Sequence, residues 1–128
     1  MEAKKIFFIA DDDPDDREIF IEALHGIDEL CKCITATDGQ EAISKLTNGM
    51  THLPDFIFLD LNMPGIDGFE FLIQFNQLSE FVKNKCKIIV ITSSASNEDK
   101  HKALMNKNVI KFITKPLDVF HLRDFIAD

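Results

Sequence analysis

Five short apolar runs separated by longer amphipathic stretches constrain this chain more than any other feature. "KKIFFIA" (4–10), "CKCITAT" (31–37), "DFIFLD" (55–60), "CKIIVIT" (86–92) and "VIKFI" (109–113) read as strands, being short, rich in β-branched and aromatic residues, and bounded by polar clusters. The stretches between them carry helical spacing. Ala42, Ile43 and Leu46 share a face after a start at Asp38 with Glu41 three residues on, and Ala103 and Leu104 follow a start at Ser96 with Asp99. Gly68 opens the strongly apolar "FEFLIQF", and "LDVFHLRDFIA" supplies the last helix. Strand, helix, strand repeated through a chain requires a parallel sheet, because parallel neighbours need a crossover of about a dozen residues or more. The expectation is one α/β domain over residues 1–128: a doubly wound, three-layer α/β/α arrangement of five parallel strands with five helices. In such sheets ligands sit beyond the carboxyl ends of the strands.

Length and charge narrow the classes. At 128 residues the chain is one domain's worth, and at that size it buries roughly two-thirds of its unfolded surface. The apolar run at Ile6–Ala10 is shorter than the about 7 to 15 residues of a signal peptide's core. No segment reaches the about 20 apolar residues of a membrane span. Cys31, Cys33 and Cys86 cannot all pair, and positions 31 and 33 alternate onto one strand face, so reduced, buried cysteines in a cytoplasmic protein are expected. The net charge of −8 argues against general nucleic-acid binding. It is unevenly spread: residues 1–81 carry 17 acidic and 5 basic side chains, residues 82–128 carry 5 and 9. The two ends are therefore expected to differ in job or partner. The twelve phenylalanines read as core, and Lys100, Lys102, Lys107 and Lys111 as a solvated face.

The stretch "FFIADDDPDD" places five carboxylates in the six positions 11–16. Neighbouring unit charges about 4 Å apart repel by roughly 1 kcal/mol in water and about 4 kcal/mol near a protein surface. Asp13 ahead of Pro14 is a helix cap before a proline at the first helical position, and Asp15 and Asp16 fall in the first turn, where the helix dipole favours anions. Asp11 and Asp12 are left over. Asp60 ends the third strand, Thr92 the fourth, and Lys115 follows the fifth. In a sheet of order 2-1-3-4-5 these endings meet, giving three carboxylates, a hydroxyl and an ammonium in one cleft. That is a hard-cation site beside a phosphate site.

"IADDDPDD", "FIFLDLNMPGIDG", "VITSS" and "FITKPL", in that order and spacing, resemble the receiver domain of two-component response regulators over essentially the whole chain. The resemblance implies a flavodoxin-like fold and a phosphoacceptor function. Asp60 would take a phosphoryl group from a phosphohistidine on a sensor histidine kinase or phosphotransfer protein. Asp12 would ligate Mg²⁺ directly, Asp11 largely through water, and the backbone carbonyl of Asn62 would complete the protein ligands. Lys115, joined to Pro116 by a cis bond, would pair with the phosphoryl oxygens. Thr92 would move its hydroxyl onto one of them, and Phe112 would turn inward with it. The altered surface of the fourth helix, fifth strand and fifth helix would bind a downstream protein. The protein would catalyse only its own phosphorylation and dephosphorylation. With about eleven residues after Leu117, no output domain is expected.

Asn108 and Val109 replace the glycine and alanine usual in the family before the fifth strand, asparagine being able to take the left-handed conformation that ends a helix. Asn62 and Ser94, two past Asp60 and Thr92, are small and neutral and would leave water some access to the phosphate. Two rival readings remain. Asp11 and Asp13 form a D-x-D pair after an apolar strand, resembling the nucleophile and acid of haloacid-dehalogenase-type Mg²⁺ phosphohydrolases. The other is a receiver-like docking module that is never phosphorylated.

Overall fold

Side chains that alternate along a strand point to opposite faces of a sheet, and here both faces are apolar. In a computed structural model, which describes residues 5–48, 52–93 and 96–126, the elements run β1 (Ile6–Ala10), α1 (Pro14–Ile27), β2 (Lys32–Ala36), α2 (Gly39–Thr47), β3 (Phe56–Asp60), α3 (Gly68–Phe75), α4 (Glu80–Lys85), β4 (Lys87–Thr92), α5 (Asn97–Leu104), β5 (Val109–Thr114) and α6 (Val119–Ile126). The five strands form one parallel sheet in the order β2-β1-β3-β4-β5. Among the described residues no helix is long and apolar enough to cross a membrane.

Phe8, Ile57, Leu59, Ile88 and Val90 face one way, against Ala42, Ile43 and Leu46 of α2, Phe71 and Phe75 of α3 and Ala103 of α5. Phe7, Ile9, Phe58, Ile89 and Ile91 face the other way, against Phe20 and Leu24 of α1 and Leu122 and Phe125 of α6. Every residue of the central strand β3 is buried. Phe58 lies within 4.9 Å of the Phe20 ring centre and meets Phe125 edge-on at 5.6 Å. Such a fully buried phenylalanine contributes about 3–5 kcal/mol against alanine.

The helix starts follow local chemistry. Asp13 accepts from the N–H groups of Asp15 and Asp16, Asp38 from Glu41, and Ser96 from Asp99. Asp67 caps α3 by accepting the Glu70 N–H. Gly68, the first residue of α3, has no room for a side chain: a Cβ there would stand 2.6 Å from Leu61 Cα and 2.9 Å from the Asp60 carbonyl oxygen. The loop after β3 is thereby packed directly on α3.

Several expectations are corrected. Among the described residues there are six helices, not five; α4, capped by Ser79, is too short and too polar to show a helical period. Leu104 is exposed beside the buried Ala103. Phe81 and Phe120 are also exposed, so the phenylalanines are not all core. No non-glycine among the described residues has a positive φ. Asn108 therefore does not use the left-handed conformation; its Nδ2 instead donates to the Lys83 carbonyl at 2.7 Å, tying β5 to α4. Cys31, Cys33 and Cys86 are not joined in disulfides, and Cys33 is only half-buried. Burial pushes Cys33 and Cys86 up to about 12, so neither is a ready thiolate.

Candidate functional site

Strand order brings the carboxyl ends of β1, β3, β4 and β5 to one edge, where the polar residues singled out above converge. Asp11 follows β1 and is fully buried. Its N–H donates to the Ala36 carbonyl at 3.0 Å, its own carbonyl accepts from Arg17 Nη1 at 2.7 Å, and its Oδ1 accepts the Asp13 N–H at 3.0 Å. Asp60 ends β3 and is buried, with Oδ1 accepting the Asn62 N–H at 3.0 Å. Each carboxylate thus has one oxygen held by the backbone N–H two residues on. Both Oδ2 atoms face Lys115 Nζ, at 2.8 Å from Asp11 and 3.1 Å from Asp60.

Lys115 follows β5, its peptide bond to Pro116 is cis, and its N–H donates to the Thr92 carbonyl at 2.8 Å. Thr92, buried at the end of β4, accepts at Oγ1 from Asn62 Nδ2 at 3.2 Å. The acceptor loop and the threonine are therefore linked by one side chain. Phe112 on β5 is partly buried against the α2–α3–α5 side of the sheet. Ser94 lies outside the described residues.

Burial dominates at Asp60 and raises its pKa above the usual carboxylate range, with the Asp11 charge adding to it; the Asn62 N–H and Lys115 act against the rise without cancelling it. Burial opposes the charge on Lys115, but the hydrogen bonds it donates to Asp11 and Asp16 and the pull of Asp60 outweigh it and raise its pKa. The site is thus an ammonium held firmly charged among carboxylates, two of which, Asp11 and Asp60, are buried.

The same cluster fits a divalent cation. Asp11, Asp12 and Asp60 each offer a carboxylate oxygen, all within 4.8 Å of one another, with Asp12 exposed to solvent. Oxygen donors of this charge suit Mg²⁺, which keeps several waters. The D-x-D alternative is not supported: Asp13 is exposed and its carboxylate is taken up capping α1, where Oδ1 accepts the Asp15 and Asp16 N–H groups.

One residue at the ammonium was missed from sequence. Asp16 Oδ2 stands 2.7 Å from Lys115 Nζ, the shortest of its three carboxylate contacts. First-turn charge explained Asp16 so completely that nothing suggested a partner 99 residues away. Beside this group a cavity of about 360 Å³ opens between α1 and the β5–α6 loop, lined by Ile9, Phe20, Ile91 and Leu117 with Asp16 and Lys115 at its polar end.

Residues 7–127 match the family described as "Response regulator receiver domain". A two-component response regulator from Cytophaga hutchinsonii has the same fold, with a TM-score of 0.85, 26 % identity, and 98 % of this chain and 96 % of that one covered. The phosphorylated cyanobacterial phytochrome response regulator RcpA matches with a TM-score of 0.80, 27 % identity, and 97 % and 89 % covered. A protein-glutamate methylesterase/protein-glutamine glutaminase from Anaeromyxobacter dehalogenans is 30 % identical over 108 residues, covering 84 % of this chain and 28 % of that protein. The chain thus spans less than a third of that relative's length.

Proposed function

The chain belongs to the response regulator receiver domain family, and on that footing we propose that Asp60 is its phosphoacceptor, charged by a phosphohistidine on a sensor histidine kinase or a histidine phosphotransfer protein. An Asp60 oxygen attacks phosphorus and forms the O–P bond of an acyl phosphate. The N–P bond to the imidazole breaks, and its electron pair leaves with the ring nitrogen. Water later attacks the same phosphorus, returning inorganic phosphate and the Asp60 carboxylate. The observation that carries this reading is the convergence of Asp60 with the Lys115 ammonium at 3.1 Å and with the Asp11 and Asp12 oxygens within 4.8 Å.

Roles follow from that convergence. Lys115 offsets charge on the transferring group, and phosphoryl transfer needs positioning and charge neutralisation more than covalent work by the protein. The side chains of Asp11, Asp12 and Asp60, with the Asn62 carbonyl, would hold Mg²⁺, which when bound neutralises phosphoryl oxygens. Thr92 exchanges its Asn62 contact for a phosphoryl oxygen, to which its hydroxyl donates. Because the Thr92 carbonyl holds the Lys115 N–H and Thr92 pairs with Thr114 in the sheet, the shift is felt along β5, where Phe112 rearranges.

The output surface is α5, β5 and α6, which carries Lys100, Lys102, Lys111 and Arg123 and exposes Leu104, Ile110 and Phe120. Its ligand is a downstream protein, and the setting is the cytoplasm. The chain does not turn over a free metabolite. Phosphotransfer from a panel of autophosphorylated histidine kinases to the full chain tests the reading: label transferred to wild type and lost in Asp60→Asn supports it, and label undiminished in Asp60→Asn sinks it.

A further inference from the structure

An ammonium has three N–H donors, and at Lys115 each has a carboxylate: Asp11 at 2.8 Å, Asp16 at 2.7 Å and Asp60 at 3.1 Å. Asp11 and Asp60 belong to the phosphoacceptor cluster, whereas Asp16 comes from the first turn of α1. Helix-dipole stabilisation does not require that reach, since Asp15, in the same turn, has that benefit while remaining exposed. The turn that presents Asp16 is itself held on both sides. Asp13 caps it, and Arg17 Nη1 is bonded to the Asp11 carbonyl at 2.7 Å. The carboxylate is therefore delivered to Lys115 from a fixed element.

We propose that Asp16 is a positioning residue for phosphoryl transfer, holding the Lys115 ammonium between α1 and the cleft so that its third donor faces Asp60. This rests on the reading of Asp60 as phosphoacceptor. As the O–P bond forms at Asp60 and the donor's N–P bond breaks, its electron pair leaving with nitrogen, that third donor passes from the carboxylate oxygen to a phosphoryl oxygen. The two bonds to Asp11 and Asp16 stay in place, so the ammonium need only pivot. A carboxylate that competed with the phosphoryl group for Lys115 would have the opposite effect on rate.

The test uses the full chain with Mg²⁺ and phosphoramidate as a small N–P donor. Asp16→Ala lowers the phosphorylation rate constant at saturating Mg²⁺ by roughly three- to tenfold, the cost of a misdirected group whose other tether survives. The Mg²⁺ concentration for half-maximal rate stays the same, and Asp16→Glu recovers part of the rate. In a Lys115→Ala background, Asp16→Ala has no further effect, because Asp16 acts through Lys115. The near-isosteric Asp16→Asn, compared with Asp16→Ala by thermal unfolding, separates this from loss of folded protein. An unchanged or faster rate in Asp16→Ala overturns the proposal, as does an equal drop when Lys115 is already absent. Normal labelling at Asp60 with an insensitive Asp16 removes this inference alone. Wild-type labelling away from Asp60 removes the phosphoacceptor reading, and this inference with it.

Discussion

Strand β3 has an aspartate at each end, and the two are built from the same parts with opposite results. Asp55, just before the strand, accepts the Ile6 N–H at 2.8 Å through one oxygen and pairs with Lys85 through the other. Asp60, its last residue, accepts the Asn62 N–H at 3.0 Å and pairs with Lys115. At Asp55 burial is outweighed by Lys85, the Ile6 N–H and nearby Lys5, and the pKa is lowered. At Asp60 burial wins, with Asp11 as a neighbouring like charge, and the pKa is raised. The side chain of Asp55 is 27 % exposed and that of Asp60 6 %. A lysine and a backbone N–H therefore do not decide what a carboxylate is for; solvent and the sign of its other neighbours do. Asp55 is a clamp between sheet and α4, while Asp60 is a carboxylate kept under-solvated in a cleft.

The sharpest way to break the comparison is by exchange of each aspartate for asparagine. With Mg²⁺ and phosphoramidate, Asp60→Asn is expected to reduce phosphorylation to background while Asp55→Asn leaves the rate within about twofold of wild type, since a clamp outside the cleft removes no transition-state contact. Intact-mass spectrometry reads both. Equal losses in the two variants would mean that the ends of β3 are not separate in function.

The lysines come next. Lys115→Met leaves buried carboxylates without their cation and lowers stability by about 2–4 kcal/mol without divalent ions, and added Mg²⁺ restores much of the loss. Lys85→Met, at a more exposed pair, costs at most about 1 kcal/mol and is indifferent to Mg²⁺. Urea denaturation with and without the ion distinguishes them.

A smaller effect is a difference in sign. In metal-free solution at pH 7, Asp60→Asn raises stability and Asp55→Asn lowers it, each by roughly 1 kcal/mol. Burial and the Asp11 charge make the ionised form of Asp60 less favourable in the folded state than in the unfolded one, whereas Lys85, the Ile6 N–H and Lys5 make ionised Asp55 more favourable.

The pH dependence sharpens this further. As pH falls through the folded pKa of Asp60, above the usual carboxylate range, its burden is relieved and Asp60→Asn converges on wild type. The contribution of Asp55 is present above the unfolded pKa of about 3.9 and is lost only as pH falls through its lower folded value. Denaturation midpoints across the acidic range should therefore show Asp60→Asn rejoining wild type first.

Much of this was legible in the chain. The strands lie within one or two residues of the apolar runs, because a parallel sheet buried on both faces must be nearly continuous in hydrophobicity. Asp11, Asp12, Asp60, Thr92 and Lys115 could be placed because strand ends are visible and strand order brings them to one edge. What stayed hidden had a satisfactory local explanation or none. Asp16 was already accounted for by the first turn of α1, so its reach to Lys115 left no trace. The side-chain bond from Asn62 to Thr92 joins residues 30 apart and depends on rotamers that no spacing encodes. Helix α4 has six residues, too few for a period, and shows only end signals: the cap Ser79, Glu80 in the first turn, and Lys83 and Lys85 in the last.

Among the clustered aspartates, Asp60 is the carboxylate proposed to receive the phosphoryl group. Treatment of the full chain with phosphoramidate and Mg²⁺, borohydride trapping of the acyl phosphate and peptide mass spectrometry tests it most directly. Reduction is expected at Asp60 with Asp11, Asp12 and Asp13 unmodified; modification at Asp11, or at none of them, would overturn the assignment of Asp60.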